Sequence, residues 1–266
     1  MGIIKLENVK VGYEDRIIIN DLSLSIKKSA ISTIIGENGS GKSTLLKTIG
    51  RVLKPKQGKV FVNDLNIHTT NTKEIAKIIG MLPQSPKAPS GLSVVEIVEY
   101  GRFPHKTGRG NLTKEDHEIV EWALKNTNLL EFKDRGIEAL SGGQRQRVWI
   151  AMVLAQQTDV ILLDEPTTYL DMAYQLEVLQ LVEKLNKQKD ITVIMVLHDI
   201  NQASRFSDEL IMLKKGTIVA KGSPKETMTP DVLREVFDIE AVITNIPGTE
   251  NPVCLSYELL KDNGDI

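Results

Sequence analysis

The chain has 266 residues, 41% hydrophobic and 26% charged, the balance of an ordinary globular protein long enough to bury a substantial core. Lys and Arg number 33 against 35 Asp and Glu, and this net charge of −2 argues against nucleic acid as a partner, because phosphate-backbone binding draws on a basic excess. The longest unbroken apolar stretch, residues 148–155, is far below the roughly 20 residues of a membrane-spanning helix. One cysteine, Cys254, excludes an internal disulfide, and residues 1–7 lack the apolar centre of a signal peptide. A soluble intracellular protein is expected.

Along the chain, residues 22–26 alternate with period two and predict a half-exposed strand, and 31–35 predict a strand ending at Gly36. Further strands are expected at 59–62, 78–82, 160–163, 191–197 and 209–213, the last forming a hairpin with 217–220 across Lys214-Lys215-Gly216. From about Ser85 to Gln157 the strand-like runs vanish. Thr113 is a plausible N-cap ahead of Lys114-Glu115-Asp116, and Ile119, Val120, Ala123 and Leu124 then fall on one helical face. The pattern is that of an α/β core (1–84 and 158–240) interrupted by a helical subdomain (85–157) and followed by an extension (241–266). Thr229-Pro230 opens a further helix. The tail beyond Ile239 reads as a closing pair of strands, with a regulatory or dimer-stabilising appendage as the alternative.

Gly36-Glu37-Asn38-Gly39-Ser40-Gly41-Lys42-Ser43-Thr44 matches G-x-x-x-x-G-K-[ST], with a predicted strand before it and a predicted helix (45–49) after it. Such a loop turns successive backbone N–H groups toward phosphate oxygens and adds the positive end of the helix dipole. Lys42 would reach the β- and γ-phosphates of a nucleotide such as ATP, and the Ser43 hydroxyl could ligate Mg²⁺. A second element, Val160-Ile161-Leu162-Leu163-Asp164-Glu165-Pro166, delivers two carboxylates to a strand's C-terminal end, where open α/β sheets place ligands. Asp164 is the candidate Mg²⁺ ligand and Glu165 the candidate for polarising the attacking water. The alternative is a pair of acids capping a helix that starts at Pro166.

His198 closes the strand 191–197 and is read either as a structural histidine or as a group at the same ligand edge. Gln84, after Met81-Leu82-Pro83, could contact Mg²⁺ or the water and lies where the helical insertion begins. Tyr13 lies between two early strands, as a half-buried strand aromatic or an adenine-stacking ring. Leu140-Ser141-Gly142-Gly143-Gln144 places a good N-cap and two glycines at the start of another helix, a second N-terminus suited to an anion.

These motifs together resemble the ATP-binding-cassette family: the loop 36–44, Gln84, the 140–144 signature, Asp164-Glu165, Tyr169-Leu170-Asp171 and His198 stand in its order and approximate spacing. The resemblance implies a P-loop NTPase core with an antiparallel β subdomain and an inserted all-helical subdomain. It also implies an ATPase using ATP and Mg²⁺, working as a head-to-tail pair of copies. In that pair Ser141, Gly142, Gly143 and Gln144 of one copy face the ATP held by Gly36 to Thr44 of the other, Asp171 touches the partner, and Tyr13 stacks on adenine. Residues 89–94, 100–105, 148–152 and 196–203 are similar to the ATPases of bacterial ferric-siderophore importers, of which haem and cobalamin importers are near relatives. That similarity implies separate integral-membrane permease subunits gripped around 85–105, an extracellular or periplasmic substrate-binding protein, and a peripheral place on the cytoplasmic face of the membrane. Cassettes that act in DNA repair or on ribosomes generally carry two cassettes in one chain or a long coiled coil, and this sequence has one cassette and no sustained heptads.

Overall fold

The computed structural model describes residues 2–106, 108, 111–248 and 250–260. They fall into two compact units, residues 1–68 with 194–266 and residues 69–193. In the first, strands β1 (Gly2–Tyr13) and β2 (Arg16–Lys27) form an antiparallel hairpin in which Tyr13 faces Arg16. The expectation of a strand over 22–26 covers only part of β2, and the early strand implied before Tyr13 carries no expected bounds. The reason is visible in the register: it shifts between Leu6 and Val9 and again between Val9, Val11 and Gly12, so the two-residue alternation on which strands are read is broken.

Next come β3 (Ile31–Ile35), buried at all five positions, and helix α1 (Lys42–Ile49). Strand β4 (Gln57–Val62) pairs with β1, and the short β5 (Leu65–Asn66) pairs with β4, giving an antiparallel sheet of order β2-β1-β4-β5.

The second unit begins with α2 (Thr72–Ala76) and β6 (Ile79–Leu82). It continues through α3 (Val94–Glu99), a 3₁₀ turn at Tyr100–His105, α4 (Lys114–Asn126) and α5 (Gly142–Ala155). Strand β7 (Val160–Asp164) and the long α6 (Met172–Lys189) follow. Between β6 and β7 the described residues hold no strand, only helices, turns and an isolated bridge between Ser93 and Gly136. The four positions expected to face inward from α4 are all buried, and Thr113 caps it with Asp116 in a reciprocal box.

That same Asp116 anchors the insertion. Arg102, 4% exposed, donates from Nε to Asp116 Oδ1 at 2.8 Å and from Nη1 to the carbonyl of Ala155 at 2.7 Å, taking up one of the carbonyls left over at the end of α5. Burial pushes the Asp116 carboxyl up, but the Thr113 N–H, the Arg102 guanidinium and the Thr113 hydroxyl together outweigh it and hold the group at about 2. Its folded value lies below the ordinary 3.8, so its contribution is complete above about pH 4 and disappears as the pH falls toward 2. Removing one member of a buried, hydrogen-bonded pair strands the other, and Asp116→Ala is expected to cost about 3–5 kcal/mol in urea unfolding at pH 7. The gap between variant and parent should narrow when the titration is repeated at acid pH.

The chain returns to the first unit through β8 (Thr192–Val196), α7 (Ile200–Phe206), β9 (Glu209–Lys214) and β10 (Thr217–Gly222). The strands of that unit run in the order β10-β9-β3-β8, with β9 parallel to β3 and antiparallel to β10. Helices α8 (Pro224–Thr227) and α9 (Pro230–Phe237) precede an antiparallel pair, β11 (Ile239–Thr244) and β12 (Val253–Leu259), so the tail is a closing pair of strands. Thr229 caps α9, with proline at its first position. Asn201 fixes β12 to α7 by accepting from the Cys254 N–H at 2.8 Å and donating to its carbonyl at 3.0 Å. Cys254 is buried there, and burial pushes its thiol up.

Candidate active site

Strand β3 ends at Gly36, whose φ of +157° and close approach to the Leu213 carbonyl admit no side chain: a Cβ would stand 2.0 Å from that oxygen. The loop then rises through Glu37 and the exposed Asn38 and Gly39 to Ser40, and Gly41 enters α1 with φ +105°, a left-handed conformation natural to glycine. Gly41 has no side chain to cap the helix, so the first-turn N–H groups of α1 receive no side-chain acceptor from it. Lys42, 5% exposed, donates from Nζ to the carbonyls of Gly36 and Glu37, both at 2.8 Å. The cation is thus buried and held over the loop by the loop's own backbone. Ser40 Oγ is buried without a hydrogen-bond partner among the described residues. A helix N-terminus without a side-chain cap, a buried ammonium and the Ser40 hydroxyl form a donor-rich set that suits the oxygens of a polyphosphate. Ser43 and Thr44 occupy the first turn of α1, Ser43 half-buried and Thr44 buried.

In the same unit His198 leaves β8 level with that loop, for the Leu197 N–H donates to the Ile34 carbonyl at 3.4 Å. The imidazole is exposed, and Asp199 behind it caps α7 by accepting from the Gln202 N–H at 2.7 Å. Tyr13 is the last residue of β1 rather than a residue between strands, and 46% of its surface is exposed, so the structure leaves both the strand-aromatic and the adenine-stacking readings open.

The acidic element lies in the second unit. Strand β7 is buried throughout and runs parallel to β6 with Leu163 opposite Leu82. Two residues beyond each, Glu165 and Gln84 emerge side by side, and Gln84 Nε2 donates to Glu165 Oε2. Thr168 Oγ1 donates to the same oxygen at 3.1 Å. Asp164 is 1% exposed and Glu165 8%, and Glu165 has φ +55°, an unusual conformation for a residue with a Cβ. No helix starts at Pro166: α6 begins at Met172 with Asp171 as its N-cap, which removes the capping alternative for the acidic pair. Gln84 and Asp164 of this unit carry an amide and a carboxylate oxygen, hard ligand types of the kind Mg²⁺ takes.

Ser141 caps α5, accepting from the Gln144 N–H at 3.2 Å while Gln144 Oε1 accepts from the Ser141 N–H at 2.9 Å. Ser141 and Gly142 are exposed at the helix tip. Gly143 is buried under Tyr174 of α6, and a Cβ there would meet the ring at 2.7 Å.

Residues 19–168 match the family described as ABC transporter. The chain belongs to the ABC transporter family. It is 54% identical over its full length to the iron(3+)-hydroxamate import ATP-binding protein FhuC of Bacillus subtilis, covering 99% of that protein. It is 41% identical over 93% of its length to the ferric enterobactin transport ATP-binding protein FepC of Escherichia coli, covering 91% of it. Among solved structures, a dimeric ATP-binding cassette in a post-hydrolysis state bound to ADP and Pi superposes with a TM-score of 0.73 at 35% identity, covering 83% of this chain and 98% of that one. In this ABC ATPase Glu165 also meets the Thr168 hydroxyl, a contact that none of the sequence motifs encodes. Its only signal in the sequence is a hydroxyl three residues after the acid, a spacing that means nothing until the intervening turn is known.

Proposed function

We propose that this chain is the ATP-hydrolysing subunit of an importer of ferric siderophores, working as a head-to-tail pair with separate permease subunits. The observation that carries the catalytic part is the buried Lys42 bridged to the Gly36 and Glu37 carbonyls above the uncapped start of α1, a cradle whose chemistry is that of a triphosphate site. The cargo follows the similarity to proteins named for iron(3+)-hydroxamate import and ferric enterobactin transport, two ferric chelates of different chemistry. A ferric siderophore is the class they share.

In this reading ATP is held by Gly36 to Thr44 with Tyr13 against the adenine, and Ser141, Gly142, Gly143 and Gln144 of the second copy close on the γ-phosphate. Ser43, Gln84 and Asp164 would hold Mg²⁺, which neutralises charge on the phosphates. Glu165 polarises the attacking water and His198 helps to fix its place. Asp171 faces the partner copy. Lys42 and the loop N–H groups stabilise the charge that develops on the transferring group, usually the largest catalytic contribution.

No helix among the described residues is long and apolar enough to cross a membrane, and the permease partners follow the similarity to import ATP-binding proteins. The chain would sit peripherally on the cytoplasmic face, with residues 85–157 turned to the permease, 1–84 and 158–240 binding nucleotide, and 241–266 as an extension. An extracellular or periplasmic binding protein would deliver the chelate.

The test is uptake of ⁵⁵Fe-labelled ferric hydroxamate by cells in which this chain's gene is deleted. Wild-type chain should restore uptake and Glu165→Gln should not. Unchanged uptake in the deletion strain, with no other cassette compensating, would refute the assignment of cargo.

A further inference from the structure

Glu165 leaves β7 in the left-handed region, with φ +55°, and the turn that follows is closed by the Thr168 N–H donating to the Glu165 carbonyl at 3.3 Å. This turn returns the Thr168 side chain to the acid, so that Oγ1 meets Glu165 Oε2 at 3.1 Å. Gln84 Nε2 donates to the same oxygen. The terminal torsion of a glutamate is intrinsically broad and two-fold, and two donors converging on one oxygen narrow it. The two donors differ in permanence. Gln84 is exposed and stands 81 residues away in sequence, at the head of the helical insertion, whereas Thr168 is half-buried and lies on the turn that Glu165 itself begins. A motion that carries Gln84 off leaves the Thr168 contact in place.

We propose that Thr168 is a positioning residue for hydrolysis: its hydroxyl holds the plane of the Glu165 carboxylate while Gln84 is free to exchange partners. The inference rests on the reading of Glu165 as the group that polarises water. Thr168 donates to Glu165 and acts on the reaction through it, so its loss should lower kcat and leave the KM for ATP nearly unchanged.

The experiment compares Mg-ATP hydrolysis by purified wild type, Thr168→Val, Thr168→Ser, Glu165→Gln and the Thr168→Val/Glu165→Gln double variant, with rates normalised to folded protein by thermal unfolding. Valine keeps the shape and removes the hydroxyl; serine keeps the hydroxyl. Thr168→Val should lose about tenfold in kcat with KM within about twofold. Thr168→Ser should stay near wild type, and valine should cause no further loss in the Glu165→Gln background. A wild-type kcat for Thr168→Val beside an inactive Glu165→Gln would overturn the proposal alone. So would a serine variant as slow as valine, which would mark Thr168 as structural. Full activity of Glu165→Gln would instead remove the reading of Glu165 underneath.

Discussion

Glu165→Gln is expected to bind ATP as the parent does and to hydrolyse it about a hundred- to ten-thousandfold more slowly, the range a positioned general base contributes. The substitution is nearly isosteric and removes a charge. The acid is 8% exposed at the end of a fully buried strand, and Gln84 and Thr168 both donate to its Oε2. A glutamine can still accept from both through its amide oxygen, so the turn from Glu165 to Thr168 should persist and the loss should fall on kcat. Steady-state phosphate release together with ATP titration separates the two effects. Hydrolysis within twofold of wild type would take Glu165 out of the role assigned to it.

Lys42→Ala should fail one step earlier, at binding. The Nζ group is buried and held by the Gly36 and Glu37 carbonyls, so the loop's own backbone fixes its cation in place. Exchanging those carbonyls for phosphate oxygens gives the ammonium anionic partners in place of neutral ones, adding the attraction of opposite charges to bonds whose donor is already ionised. Loss of one or two such bonds, at about 1.5–3 kcal/mol each, weakens ATP binding by at least tenfold and by more than a hundredfold at the upper end. The same variant leaves two carbonyls without their donor, so its unfolding should be followed beside its affinity. Lys42→Met keeps the aliphatic stem and isolates the charge. Normal ATP affinity in Lys42→Met would contradict the cradle.

What could be read from the amino-acid sequence was local. Residues 36–44 carry their conformation in their own glycines, and Thr113, Ser141 and Thr229 announce helix starts within three residues of themselves. What escaped depends on distant pairing or on irregular backbone. The shifts in β1 hid the bounds of a 12-residue strand. No element was expected over α6, although Val178, Leu179, Val182 and Leu185 are buried along it at helical spacing. The meeting of Gln84 with Glu165 follows from the parallel register of β6 and β7, which no short motif encodes. Thr168 needed both that strand end and the left-handed turn at Glu165 before its hydroxyl had a target.

The claim on which the rest depends is that the Ser141 tip of one copy completes the nucleotide site of the other. Sedimentation of Glu165→Gln with Mg-ATP tests it most directly, alone and with Ser141→Arg added, with bound nucleotide measured in each peak. The single variant should sediment as an ATP-loaded dimer. The double variant should remain a monomer that still binds ATP, because the arginine is placed on an exposed helix tip and residues 36–44 are left unchanged. An ATP-dependent dimer that forms equally well with Ser141→Arg would contradict the account.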